Sequence, residues 1–166
     1  MATDKIPYLT IAITNRCNFH CYYCSPDEDG GMGEAYGTST NSIDIKDLEE
    51  KILIAEEEGM TKVRFSGGEP LLIHDITDVF RFIEDNTTLE YALATNGSIV
   101  DRFVDDFEGL SRLDIRISLD TLDRGQFSEI CGCSKIQYDK VIANIKVIII
   151  KKYVKPSSSS CYTRQY

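Results

Sequence analysis

The sequence predicts an α/β fold in which parallel strands alternate with helices. Four short runs rich in β-branched and aromatic residues recur along the 166-residue chain, as is typical of strands. Segments whose apolar residues recur at helical spacing follow these runs. The connections are short, and this order favours right-handed crossovers between parallel strands.

The predicted elements follow one another as strand and helix throughout. The strands are predicted at residues 8–14, 62–66, 89–94 and 113–119. The first helix can be capped by Asp44 and ends at Gly59, and its apolar positions are Ile45, Leu48, Ile52 and Ala55. The second places on one face Ile76, Val79, Phe80 and Ile83. A third helix is predicted over residues 99–107, and a fourth carries Tyr138, Val141, Ile142 and Ile145.

Composition excludes several classes of function. Hydrophobic residues make up 42% of the chain and charged residues 27%, which is typical of a soluble globular protein. The formal net charge of -9 argues against a nucleic-acid surface, because neutralising phosphates requires clustered Lys and Arg. The chain has no apolar run near the roughly 20 residues of a membrane span and no signal-peptide core at its start. We therefore expect a cytoplasmic protein that binds neither nucleic acid nor membrane.

Three of the six cysteines lie close together, in the run Cys17-Asn18-Phe19-His20-Cys21-Tyr22-Tyr23-Cys24. In a chain without a secretion signal, such clusters more often bind metal than form disulfides. Three thiolates on one loop can hold three irons of an iron–sulfur cluster and leave the fourth iron open. A structural zinc site needs a fourth ligand, and His20 is poorly placed inside the loop to be one. The pattern favours an iron–sulfur cluster, with zinc as the alternative.

The other cysteines predict no site. Cys131 and Cys133 are too close in sequence for an unstrained disulfide, and we interpret them as structural. Cys161 lies in a Ser-rich segment and is expected to be a free thiol.

Every chemically unusual segment follows a predicted strand. These segments are the cysteine loop, Gly67-Gly68-Glu69-Pro70, Thr95-Asn96-Gly97 and Ser118-Leu119-Asp120. Parallel α/β folds place their active sites at the carboxyl ends of the strands. The four segments therefore predict a single site.

These motifs resemble those of the radical S-adenosylmethionine (radical SAM) superfamily. The resemblance rests on the C-x3-C-x2-C loop, with Tyr23 before its last cysteine, and on the Gly-Gly-Glu-Pro segment. It is closer to the branch that contains the GTP 3′,8-cyclase of molybdenum-cofactor synthesis, and it covers about residues 8–146. The runs that carry it are Thr14-Asn15-Arg16-Cys17-Asn18-Phe19, Arg64-Phe65-Ser66-Gly67-Gly68-Glu69-Pro70-Leu71, Thr95-Asn96-Gly97 and Ser118-Leu119-Asp120-Thr121-Leu122-Asp123.

The resemblance implies two cofactors, a [4Fe-4S] cluster and S-adenosylmethionine. The implied cluster ligands are Cys17, Cys21 and Cys24. The implied S-adenosylmethionine contacts are Tyr23 beside the adenine, Gly67, Gly68 and Glu69 at the ammonium group, and Ser118 with Thr95 or Asn96 at the ribose or carboxylate. The implied chemistry is reductive cleavage to a 5′-deoxyadenosyl radical, which abstracts a hydrogen atom from a substrate. An external electron donor of the flavodoxin or ferredoxin type is implied as well.

The sequence allows two hypotheses for the substrate. Arg64 matches a substrate-facing arginine of the branch, and Arg16 either faces substrate or is a solvated loop residue. The branch carries an arginine where this chain has Thr10 and a threonine where it has Ala94. Residues 27–34 are also acidic, which suits a triphosphate poorly. A peptide or small metabolite is therefore the first reading, and GTP is the alternative.

The length implies an incomplete barrel. The superfamily's partial TIM-type (β/α) barrel has six βα units, and this chain supplies about four. We expect residues 1–146 to form the N-terminal part of that core and residues 147–166 to be a divergent, poorly ordered tail. A truncated, catalytically inactive chain that binds the cluster is a further alternative.

Overall fold

The computed structural model describes residues 8–24 and 44–151. Its centre is one parallel sheet in the order β1-β2-β3-β4. The strands are β1 Tyr8–Ala12, β2 Lys62–Ser66, β3 Glu90–Thr95 and β4 Leu113–Ile117. The predicted α/β fold with parallel strands is therefore confirmed, and each crossover moves one strand along the sheet.

Two helices connect β1 to β2 and β2 to β3, tight turns connect β3 to β4, and two further helices follow β4. The helices are α1 Ile45–Glu57, α2 Ile76–Asn86, α3 Arg124–Ile130 and α4 Lys135–Ile150. The predicted cap of α1 is confirmed, because the Asp44 carboxylate accepts the Lys46 N–H at 2.8 Å. Gly59, two residues beyond the end of α1, has a φ of +87°, which disfavours other residues. All four predicted apolar positions of α2 are buried.

The prediction of a helix over residues 99–107 is wrong. This segment forms a 3₁₀ turn at Val100–Arg102 followed by further turns. Val100, Val104 and Phe107 are nevertheless buried, so the apolar spacing did identify residues that face the core. Valine, phenylalanine and aspartate are weak helix formers, and tight turns bury the same side chains without a regular helix.

Two features at the carboxyl end of the described chain differ from the prediction. The short helix α3 was not predicted; it begins where the Asp123 carboxylate accepts the N–H groups of Gly125 and Gln126. Helix α4 continues to Ile150, with Ile148 fully buried, so the first residues of the expected tail belong to this helix. The acidic residues 27–34, Cys161 and the rest of the expected tail beyond residue 151 lie outside the described residues.

The core has two parts. The larger lies between the sheet and helices α1 and α2, where Phe80 packs against Phe65 and Tyr91 with ring centroids 5.3 and 5.7 Å apart. The smaller joins Phe19 of the cysteine loop to Phe127 of α3 and to Cys131 and Val141. This second cluster packs the cysteine loop against α3 and α4. In the described ranges, we find no helix with the length and hydropathy to cross a membrane.

Arg112 closes the carboxyl end of α2. Its guanidinium donates hydrogen bonds of 2.6–2.9 Å to four main-chain carbonyls, those of Ile83, Glu84, Thr87 and Leu89. Helix ends leave such carbonyls without partners. We expect Arg112→Met to lower the free energy of unfolding in urea by about 2 kcal/mol, whereas replacing the exposed Arg102 with Met should change it little. Equal effects of the two substitutions would contradict this role.

Candidate functional site

The loops that follow β1 and β2 are joined through their backbones. The N–H of Gly68 donates to the Thr14 carbonyl at 2.7 Å, and the N–H of Glu69 donates to the Arg16 carbonyl at the same distance. Arg16 immediately precedes Cys17, the first cysteine of the loop, and Thr14 lies three residues before it. The Gly-Gly-Glu-Pro segment therefore sets the position of the cysteine loop.

Both glycines are required for this contact. A Cβ at Gly67 would collide with the Thr14 carbonyl oxygen, and a Cβ at Gly68 would collide with the Arg16 carbonyl oxygen. Gly67 also has a φ of +130°, which L side chains rarely adopt. The close approach that demands glycine is thus between two segments of the chain. Within the described residues, the Gly67 and Gly68 carbonyls accept no hydrogen bond, so these acceptors can receive a ligand.

Glu69 is fully buried and connects the loops after β2 and β3. One carboxylate oxygen accepts the Thr95 hydroxyl at 2.7 Å and the Leu71 N–H at 3.1 Å. The other accepts the Asn96 N–H at 2.7 Å. Burial raises the pKa of Glu69 above its ordinary value, although these three donors act in the opposite direction. Glu69 and Thr95 are thus engaged with each other, a structural role that the motif alone did not reveal.

The Asn96 side chain is likewise engaged. Its amide donates to Asn18 Oδ1 at 2.8 Å and to Cys17 Sγ at 3.8 Å. Its oxygen accepts the Ser98 N–H at 2.9 Å, and Asn18 in turn donates to Ser98 Oγ at 2.7 Å. This network attaches the loop after β3 to the cysteine loop.

The three loop cysteines are half-buried thiols. None of the five cysteines in the described ranges forms a disulfide. Burial raises the pKa of the Cys17 thiol, whereas its interaction with Cys131 lowers the pKa of the Cys21 thiol. Among the described residues, no three His, Cys, Asp or Glu side chains lie close enough to ligate one metal ion. A cluster makes a different demand, because each thiolate ligates a different iron and the three sulfurs lie further apart.

The turn between α3 and α4 holds the other side of the cysteine loop. The His20 N–H donates to the Cys131 carbonyl and the Tyr22 N–H to the Ile130 carbonyl, both at 3.0 Å. Gly132 has a φ of +56°, and a Cβ there would lie 2.5 Å from the His20 carbonyl oxygen. Sequence reasoning treated this turn as structural and did not connect it with the site. The Asp123 cap was the available signal for a helix here.

Two further residues predicted in the site occupy different environments. The Tyr23 hydroxyl donates to Asp120 Oδ2 at 2.8 Å, which links the cysteine loop to the loop after β4. Ser118 is exposed at the end of β4, and its N–H donates to the Thr95 carbonyl at 2.9 Å. All four predicted segments therefore meet at one end of the sheet.

The arginines predicted to face substrate differ in position. Arg16 is exposed in the cysteine loop. Arg64 lies on β2, on the sheet face opposite the buried Val63 and Phe65, and its buried Nε has no partner among the described residues. Register and strand alternation place four further charged residues on this polar face, all missed from sequence: Lys62, Glu90, Asp114 and Arg116. Asp114 forms ion pairs with Lys62 at 3.7 Å and with Arg116 at 3.0 Å.

Comparison with known proteins agrees with this geometry. The family model described as the radical SAM superfamily matches residues 11–159. The chain belongs to the radical SAM superfamily. The matched segment contains every residue predicted in the site and extends past the boundary expected at residue 146.

The radical SAM chain also matches curated relatives. It is 37% identical over 120 residues to the GTP 3′,8-cyclase of Campylobacter jejuni strain RM1221, covering 72% of this chain and 36% of that protein. The cyclase of Campylobacter jejuni subsp. doylei is 36% identical over the same share of both chains. The chain thus spans about a third of the length of these relatives.

Solved structures show the same fold at low identity. SuiB of Streptococcus suis, bound to the precursor peptide SuiA, superposes with a TM-score of 0.67 at 22% identity, covering 86% of this chain and 31% of SuiB. The enzyme anSMEcpe with bound AdoMet has a TM-score of 0.65 at 19% identity, covering 91% of this chain and 43% of that one. The predicted fold, an α/β fold that forms part of a TIM-type barrel, is confirmed.

Proposed function

We propose that this chain is a radical SAM enzyme that acts on a peptide or small metabolite. The observation that carries the proposal is the backbone contact between the cysteine loop and the Gly-Gly-Glu-Pro loop through Gly68 and Glu69. It brings three thiols together with two carbonyls that have no partner among the described residues, at the carboxyl end of a parallel sheet. Members of the superfamily use a [4Fe-4S] cluster and S-adenosylmethionine, and they require a reductant and a substrate.

The donor set fits these two cofactors. Cys17, Cys21 and Cys24 would ligate three irons, since thiolate is the preferred protein ligand of iron–sulfur clusters. The Gly67 and Gly68 carbonyls would accept the ammonium group of S-adenosylmethionine. When bound, the cluster and S-adenosylmethionine supply a reductive carbon–sulfur cleavage whose 5′-deoxyadenosyl radical abstracts a hydrogen atom.

Other residues of the chain would bind and orient S-adenosylmethionine and the substrate. Glu69 would keep the Gly-Gly carbonyls in place through Thr95 and Asn96, and its carboxylate would favour a positively charged group at this site. Tyr23, anchored by Asp120, would border the adenine. The exposed Ser118 side chain would contact the ribose or carboxylate. Arg64 would bind an anionic group of the substrate. Arg16, which is exposed in the cysteine loop, would also contact the substrate.

The electron donor and location are also part of the proposal. We propose a small iron–sulfur or flavin protein of the ferredoxin or flavodoxin type as the donor. We propose a cytoplasmic location, where thiols stay reduced and can ligate a cluster.

Anaerobic reconstitution with iron and sulfide tests the proposal. With S-adenosylmethionine and dithionite, the reconstituted chain is expected to release 5′-deoxyadenosine, measured by liquid chromatography. Cys161→Ala should behave as the wild type, as a control for cysteine replacement. A chain that assembles the cluster and forms no 5′-deoxyadenosine would instead be the catalytically inactive alternative.

GTP 3′,8-cyclase is the second candidate function. The 37% identity to the Campylobacter jejuni enzymes favours it. The charges on the polar face argue against a triphosphate substrate. Lys62 is paired with Glu90 and Arg116 with Asp114. On the described part of this face, Arg64 is the one arginine left to bind a triphosphate. Thr10 lies beside Arg64 on the same face, where the cyclases have an arginine. GTP added to the reconstituted chain should remain unconsumed, and its conversion would favour the cyclase.

A further inference from the structure

Asn144 is a buried polar residue of helix α4 that contacts the loop after β3. Its exposed fraction is 4%, and the other buried residues of α4, Val141 and Ile148, are apolar. The Asn144 side-chain amide donates a hydrogen bond of 2.7 Å to the main-chain carbonyl of Gly97. Because a buried amide is costly unless its hydrogen bonds are made, this contact ties α4 to the Thr-Asn-Gly loop.

The orientation of the Asn144 amide is set by a second acceptor. Its nitrogen also donates to Asp101 Oδ1 at 3.2 Å, and the same carboxylate oxygen pairs with Lys140 of α4 at 3.3 Å. Both neighbours of the amide are acceptors, so its nitrogen rather than its oxygen must face them. The two N–H bonds of Asn144 therefore have one partner each, and the side chain is held in one orientation.

The Gly97 carbonyl belongs to a tightly packed turn. Gly97 has a φ of +77°, and a Cβ there would lie 2.8 Å from Ile117 Cγ2 and 3.6 Å from Val141 Cγ1. The Gly97 N–H donates to Thr95 Oγ1 at 3.1 Å. The turn thus lies directly against the end of β4 and against α4, and Asn144 bonds the one residue whose conformation shapes it.

Glu69 and Asn144 hold the Thr-Asn-Gly loop from two different elements. Glu69, after β2, accepts the Thr95 hydroxyl and the Asn96 N–H, both at 2.7 Å. Asn144 donates to the next residue along the chain, Gly97, from α4. Loss of the Asn144 contact would leave the loop attached at Glu69 alone among these two, and its carbonyl side would be free to move.

We propose that Asn144 is a positioning residue for S-adenosylmethionine, acting through the Thr-Asn-Gly loop. The inference rests on the proposed function, in which Thr95 or Asn96 contacts the ribose or carboxylate of S-adenosylmethionine. A loop that populates other conformations binds its ligand more weakly, in proportion to the lost population of the competent one. Cluster content should not change, because the cysteine loop has its own backbone hydrogen bonds to the Gly-Gly-Glu-Pro loop and to the turn between α3 and α4.

Anaerobic isothermal titration calorimetry of the reconstituted chain with S-adenosylmethionine tests the inference, with the cluster kept oxidised so that no cleavage occurs. Asn144→Ala should raise the dissociation constant about fivefold, as expected for the loss of one hydrogen bond, at wild-type iron and sulfide content. Lys140→Met removes the other partner of Asp101 on the same helix and should leave the constant unchanged. Arg112→Met destabilises the chain at the end of α2 and should also bind like the wild type.

Several outcomes would overturn the inference. An unchanged dissociation constant in Asn144→Ala at full cluster content would do so, and so would an equal rise in either control. If Asn144→Ala does not fold, Asn144→Ser decides, because serine is polar and too short to reach Gly97 directly. A raised constant in Asn144→Ser then supports the positioning role, whereas a wild-type constant, or loss of the fold in this variant too, assigns Asn144 to stability alone.

The wild type separates this inference from the proposed function. A wild type that forms no cluster, or whose cluster does not bind S-adenosylmethionine, contradicts the proposed function itself. A wild type that binds S-adenosylmethionine, with an unshifted constant in Asn144→Ala, contradicts the inference alone.

Discussion

Replacing Gly68 with alanine is expected to remove most of the cluster and to destabilise the chain by about 3 kcal/mol. The new Cβ would collide with the Arg16 carbonyl oxygen, and the next atoms in its path are also backbone, at Arg16 C and Asn15 C. Because all three of these atoms belong to the backbone, no flexible side chain can move aside. Relief requires the two loops to separate, which breaks the hydrogen bonds at Thr14 and Arg16 that hold the approach to Cys17.

Gly109→Ala is the matched control for this substitution. Gly109 has a φ of +86°, and no described atom lies within 4 Å of the position that its Cβ would take. Its replacement should cost about 1 kcal/mol through backbone strain alone and leave cluster content unchanged. Iron and sulfide content after reconstitution and urea unfolding of the cluster-free chains measure both effects. Full cluster content in Gly68→Ala would show that the contact between the loops does not position the cysteines.

The second large effect is expected at the cysteines themselves. Replacing Cys17, Cys21 or Cys24 singly with alanine removes one of three proposed ligands, and no neighbouring residue that the structure describes restores the set in place. Cys131 is an adjacent thiol, but it is buried and donates its S–H to Asp120 Oδ2 at 3.7 Å. Its interaction with Cys21 and its burial raise the pKa of this thiol. We therefore expect each variant to lose the cluster, measured as iron and sulfide per chain, while Cys133→Ala retains it.

Local signals in the sequence predicted much of the fold. The predictions of strand β2 and of the four buried positions of α2 were correct, because strand alternation and helical periodicity depend on neighbouring residues. The helix prediction for residues 99–107 failed because the same apolar spacing also fits a series of tight turns. Helix α3 was missed because it is short and has one buried apolar residue, Phe127.

The site was predictable as a meeting of four loops, because parallel strands bring their carboxyl ends to one edge. The contacts between those loops were not predictable. Asn96 and Cys17 lie 79 positions apart in the chain, and no local pattern announces a hydrogen bond between them. The Gly-Gly pair was expected to admit a ligand, but its Cβ positions face the backbone of Thr14 and Arg16. Cys131 and Cys133 were set apart from the site because their connection to it depends on how α3 packs.

The central claim is that Cys17, Cys21 and Cys24 hold three irons and leave the fourth for S-adenosylmethionine. Mössbauer spectroscopy of the chain reconstituted with ⁵⁷Fe tests it most directly. We expect a [4Fe-4S] spectrum in which S-adenosylmethionine changes the signal of one iron of the four, and loss of that spectrum in each of the three alanine variants. A wild-type spectrum that does not respond to S-adenosylmethionine, or an unaltered cluster in Cys24→Ala, would contradict it.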